Sequence, residues 1–159
     1  MKAKQFAALL TELNACSKAT KWAEGKSLAV VWKTCQRGDW LLWLCGKMAD
    51  KPNWPTRKEV VLAACDCAEL ALKHVPKGEE RPRKCIETVR AWAAGNTTIE
   101  EVKTARSAAY AAADAYAAAD AARKTVRTKT LAKCADLVRK RLKIARISKS
   151  RSTKIGKLI

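Results

Sequence analysis

The segment DWLLWLCGKMA, residues 39–49, constrains the fold more than any other part of the chain. Read as a helix it is apolar almost all round, and beyond Asp39 its only charge is Lys47. A helix without a solvated face must be enclosed by other elements. The rest of the chain offers helices to enclose it. No stretch alternates apolar and polar residues for long, so strand signals are nearly absent.

The first helix is expected from about Ala3 to Leu13, with Phe6, Leu9, Leu10 and Leu13 on one stripe. Ser17 is positioned to cap a short helix that carries Trp22 and stops near Gly25, and Ser27 to cap a third. Gly38 then ends that helix and Asp39 caps the apolar one, which also accounts for the tripeptide Arg37-Gly38-Asp39. The segment KPNWP breaks the chain. Of the six tryptophans, Trp54 between its two prolines is expected to be the most exposed, available to stack on a base or fill a partner's pocket. Trp40 and Trp43 are expected in the core.

Thr56 and Glu59 form a capping box that opens a helix over 57–75. Val60, Ala64, Cys67, Ala68, Ala71 and Val75 are its expected apolar face, with Asp66, Glu69 and Lys73 opposite. Pro82 suits the first turn of the next helix, which stops at Gly95. Thr97 or Thr98 caps an alanine-rich helix reaching about Thr125, in which AYAAAD occurs at 109–114 and 115–120. Six residues advance a helix by about 600°, so the copies face different ways and do not make a repeat architecture. A last helix over about 129–147 carries Leu131, Cys134, Val138 and Leu142 at helical spacing.

These signals predict an all-α fold, a single compact multi-helix bundle with a basic C-terminal helix and tail. The expected divisions are a helical body over 1–125, the basic helix over 126–147 and a flexible basic tail over 148–159. The chain of 159 residues is long enough to bury a core. No run is apolar for the roughly 18 residues a membrane span needs. Seven cysteines, an odd number lying mostly in apolar helical patterns, fit small core residues of a reducing, cytoplasmic setting better than a disulfide set.

Charge is unevenly placed. The net charge is +18, and residues 121–159 hold 14 Lys/Arg against Asp136 alone. Residues 137–159 hold nine Lys/Arg and no acid. Such a segment attracts phosphate polymers. Arg139, Lys140, Arg141, Lys143, Arg146, Lys149 and Arg151 are the candidate polyanion-binding residues.

An enzyme reading finds little support. The one histidine, His74, is expected at a buried or boundary position. It lies seven residues after Cys67, about 10.5 Å along a helix, too far for a direct Cys–His hydrogen bond. No metal site is expected, because Cys65 and Cys67 point about 200° apart on a helix and no C-x-x-C pair exists. No glycine loop for a phosphate cofactor is present, so neither catalytic residues nor cofactors are assigned. Arg83, Glu87 and Arg90 form a stripe at i, i+4 and i+7, with Arg81 near the helix start. This stripe reads either as a solvated salt-bridge ladder or as an anion or carboxylate site.

The stretch from Arg37 to Gly95 resembles the signature region of a family of small helical immunity proteins of phages and bacteria. The pieces that carry the resemblance are Asp39-Trp-Leu-Leu-Trp43, Asp66-Cys-Ala-Glu69, and Arg81-Pro-Arg83 with Glu87, Arg90 and Trp92. The likeness spans roughly residues 20–125 and leaves the basic arm aside. It implies a non-enzymatic binding protein of microbial conflict, of immunity or anti-defence type. Its implied partner is a toxin or a host-defence protein, with an anionic nucleotide as another option. Arg37, Asp66, Glu69, Arg81, Arg83, Glu87 and Arg90 are then the candidate partner- or anion-binding residues. The basic arm supplies an alternative, a nucleic-acid-binding accessory protein. Neither reading involves a membrane.

Overall fold

The computed structural model describes residues 1–116 and 123–144. Eight α-helices order them: α1 (Ala3–Glu12), α2 (Ser17–Ala23), α3 (Leu28–Thr34), α4 (Gly38–Met48), α5 (Arg57–Glu69), α6 (Arg81–Ala94), α7 (Ile99–Tyr116) and α8 (Arg123–Arg141). A 3-10 turn, Leu72–His74, follows α5. No strand occurs among the described residues, and the fold is all-α.

Local signals set most of the helix ends. Ser27 Oγ accepts from the Val30 amide at 3.3 Å and starts α3. Thr56 and Glu59 complete a reciprocal capping box, with the Thr56 amide donating to Glu59 Oε2 at 2.7 Å. Thr98 and Glu101 do the same for α7. Gly95 adopts a left-handed φ of 86° after α6, a conformation that glycine takes without a Cβ clash.

Helix α4 lies in the core as its composition requires. Leu41, Leu44, Cys45 and Met48 are buried, and Trp40, Leu42 and Trp43 pack against the same cluster while staying half-buried. Phe6 and Leu10 of α1, Ala23 of α2, and Leu28 and Val31 of α3 belong to the same buried cluster. α8 and α5 pack against α4 and against each other; α6 packs on α5, and α7 on α6. From α8 and the residues after it, Ala135, Val138, Leu142 and Ile144 enter the core cluster. Each large aliphatic side chain of this kind contributes about 1.5–3 kcal/mol on burial.

The arginine-glycine-aspartate junction differs from the expectation. Gly38 does not end α3; it is the first residue of α4, whose N-cap is Arg37. A Cβ at Gly38 would collide with the Cβ of Cys134 and come within 2.7 Å of the Ala135 amide nitrogen. Close helix–helix approach is therefore what this position requires. Asp39 makes no cap. It accepts from Arg37 at 2.6 and 2.8 Å, and the Arg37 guanidinium lies 4.4 Å from the Trp40 ring.

Trp54 is buried, not exposed. Asp50 and Asn53 take positive φ values of 65° and 67°, which fold the loop back on itself. The Trp54 amide donates to the Lys51 carbonyl at 3.0 Å, and the Asp50 amide to the Pro55 carbonyl at 3.0 Å. The indole is tucked beneath, and its Nε1 has no hydrogen-bond partner among the described residues.

α5 is also shorter than expected, and its inward face is different. Val60, Ala63 and Cys65 are buried, whereas Ala64, Ala68 and Ala71 are exposed. The reason is that α4, α6 and α8 all pack on this helix, so no single stripe describes its interior. His74 sits exposed in the 3-10 turn. Cys16, not Ser17, occupies the N-cap position of α2. α8 begins at Arg123 and ends at Arg141, ahead of the expected 129–147. The completion of the second AYAAAD copy, the stretch to Thr125 as far as residue 122, and the tail from residue 145 lie outside the described residues.

Candidate functional site

The capping box at Thr56 fixes the direction of α5, and Pro82 and Gly95 bracket α6 beside it. Asp66, Glu69 and Arg90, all candidate partner-binding residues, meet across these two helices, and Arg141 joins them from α8. Arg90 of α6 donates to Asp66 at 2.8 Å and to Glu69 at 2.9 and 3.2 Å. Arg141, from the last turn of α8, donates to Asp66 through Nη2 at 2.9 Å and also through Nε. One carboxylate thus ties three helices. The Asp66 side chain is 16% exposed. Burial opposes its charge, but the hydrogen bonds from Arg141 and Arg90 outweigh burial and hold its carboxyl below the usual carboxylate range. The Asp66 hydrogen bond, helped by that to Glu69, raises Arg90 in turn.

Next to this network an open cleft of about 330 Å³ is lined by Glu69, Leu72, Arg83, Ile86 and Glu87. Arg83 turns back to Glu80 at 3.4 Å, and Arg90 crosses to α5, so the expected ladder along α6 does not form. Glu87 is exposed and has no ion-pair partner among the described residues. The cleft therefore combines apolar Leu72 and Ile86 with the carboxylates of Glu69 and Glu87 and with Arg83, which is paired to Glu80.

The arginines are paired separately. Arg37 is held by Asp39 on Trp40, Arg81 by Glu79 with Nε to Oε1 at 2.8 Å, Arg83 by Glu80 and Arg90 by Asp66 and Glu69. Each of the four is thus engaged by acids of the chain itself.

Two of the candidate polyanion-binding residues are engaged within the fold. Arg139 donates to the backbone carbonyls of Trp32 and Cys35 at the end of α3, and to Asp136 at 2.8 Å. It satisfies carbonyls that a helix C-terminus leaves without partners. Arg141 is engaged by Asp66. Lys140 and Lys143 are exposed. Arg146, Lys149 and Arg151 lie outside the described residues.

Among the described residues no group of three or more His, Cys, Asp or Glu could hold a metal ion. Burial raises the thiols of Cys35, Cys65, Cys85 and Cys134, and pushes Cys45 and Cys67 up to about 12. These six are protonated near neutral pH and are poor nucleophiles. No helix of the described residues is long and apolar enough to cross a membrane.

No curated protein and no solved structure matches the chain. A family model described as "Imm-5 like putative immunity protein" matches residues 53–139. That match begins in the loop before α5 and runs through most of α8. It contains Asp66, Glu69, Arg83, Glu87 and Arg90, and it leaves out the tryptophan pair of α4 on which part of the sequence resemblance rests. It covers more than half of the sequence, with the cleft and all of the ion network but Arg141 inside it: the chain belongs to the Imm-5-like immunity protein family.

Proposed function

We propose that this protein acts by binding, without catalysis, as an inhibitor of immunity or anti-defence type. Its partner is a toxin or a host-defence protein that docks on the α5–α6 face. The observation that carries this reading is Glu87. It is an exposed acid without an ion-pair partner among the described residues, beside a cleft lined in part by Leu72 and Ile86. A lysine or arginine of a partner fits there, with its aliphatic stem on these apolar side chains and its charge against Glu87 and Glu69. Phosphate is the poorer match, because Glu69 and Glu87 outnumber Arg83 in the lining and Arg83 is itself paired with Glu80. This favours a protein over an anionic nucleotide. Family membership supports the immunity-type role.

The test is affinity capture from toxin-expressing or phage-infected cells, with the wild-type chain and with Glu87→Arg in parallel. One protein recovered in stoichiometric amount by the wild type and lost with Glu87→Arg is the expected result. Equal recovery by both, or no recovery by either, contradicts the reading.

A further inference from the structure

Helix α8 separates its two kinds of cation. At about 100° per residue, with Lys129 set at zero, Lys133 lies near 40°, Asp136 near −20° and Lys140 near 20°. Cys134, Ala135 and Val138, all buried, lie near 140°, −120° and 180°. The three lysines therefore crown the face opposite the core, and all three are exposed. None has an ion-pair partner among the described residues. The arginines occupy the flanks, Arg139 near −80° and Arg141 near 120°. Arg139 reaches α3 and Arg141 reaches α5. The one acid on the crown, Asp136, is paired with Arg139 at 2.8 Å.

This division follows from the side chains. The planar guanidinium fork suits fixed internal hydrogen bonds, and the ammonium is a mobile, strongly hydrated point charge. The arginines clamp the helix from both sides, and the lysines are left over for an external anion.

We propose that Lys129, Lys133 and Lys140 form a binding surface for the phosphate backbone of a duplex nucleic acid. The stripe is straight and rises about 16.5 Å, a length over which duplex DNA presents about ten phosphate charges. Binding by cations alone, without sequence reading, is what such a polymer permits. A membrane surface is a poorer match, because a helix lying on lipid inserts its apolar face, and here that face is in the core. A protein partner is a poorer match too, since no aromatic or aliphatic anchor stands among the lysines. The proposal rests on α8 and is independent of the cleft at Glu87.

The experiment is anisotropy titration of a short random-sequence duplex with the full chain, over about 50–200 mM salt. Lys129→Gln, Lys133→Gln and Lys140→Gln are combined in one variant. A matched variant carries Lys4→Gln, Lys18→Gln and Lys21→Gln, three exposed lysines of α1 and α2 with the same loss of charge. The α8 variant should weaken binding and make the log–log salt slope shallower by about 2.7, at roughly 0.9 for each phosphate no longer neutralised. The matched variant should leave the slope near that of the wild type. Equal slopes in the two variants would overturn the proposal in favour of bulk charge. So would a wild type that ignores duplex yet binds polyglutamate or anionic vesicles through the same lysines. Circular dichroism confirms that both variants keep their helices.

Discussion

Arg141 and Asp66 stand 75 residues apart in sequence and share two hydrogen bonds, the Nη2 to Oδ1 distance being 2.9 Å. The pair joins the last turn of α8 to α5, and Arg90 completes the link to α6. Asp66→Asn leaves both guanidinium groups with a neutral acceptor. A loss of about 1–2 kcal/mol in urea denaturation is expected, the value being modest because both arginines are partly solvated. The pH dependence has a definite sign. Asp66 titrates below an unfolded carboxylate near 4. Its contribution is complete above that pH and is lost as pH falls through the lower, folded value. The wild type should therefore lose more stability than Asp66→Asn on acidification below about pH 4. Parallel curves for the two proteins would contradict this.

Gly38 and Gly46 both lie in α4 and should respond to alanine in opposite directions. At Gly38 the added Cβ meets the backbone of α8 at 2.7 Å. Helix separation or distortion should cost about 1–3 kcal/mol, read as a lower Tm. At Gly46 nothing lies within 4 Å. There the gain in helix propensity should stabilise by about 0.5–1 kcal/mol.

Arg139 and Lys140 are neighbours with different work. Arg139→Lys removes the fork that reaches the Trp32 and Cys35 carbonyls, and about 1–2 kcal/mol of stability should be lost although the charge is kept. Lys140→Gln should leave the Tm within about 1 °C, as for a surface change away from any partner. A Tm loss for Lys140→Gln equal to that of Arg139→Lys would refute the division of roles on α8.

The end of α8 belongs to the core in a way that truncation can expose. A chain ending at Ile144 keeps Val138, Leu142 and Ile144, which are 0%, 1% and 4% exposed. It should unfold cooperatively. A chain ending at Asp136 loses all three and should show a broad transition or none.

The sequence made the helices legible because their punctuation is local. Ser27, the Thr56–Glu59 box and Gly95 act on residues close to them in the chain, and each does so in the structure. It also made α4 central, because a helix so poor in charge has no other place. What it did not disclose depends on distant partners. Asp66 finds Arg141 only through the packing of α5 on α8. Trp54 is buried by two left-handed residues, Asp50 and Asn53, that local composition marks only as a turn. Arg139 counted as external charge because composition records a cation without its direction. Its angle from Val138 and Lys140 was available in the helical spacing, and that is the signal that separates it from the lysines.

Docking at Glu87 is tested most directly by the affinity of the captured partner, by titration calorimetry, for the wild type and for Glu87→Arg. A loss of at least about tenfold is expected, corresponding to roughly 1.4 kcal/mol or more. The Tm should stay unchanged, because Glu87 is exposed and has no ion-pair partner among the described residues. An affinity equal to that of the wild type would contradict docking there.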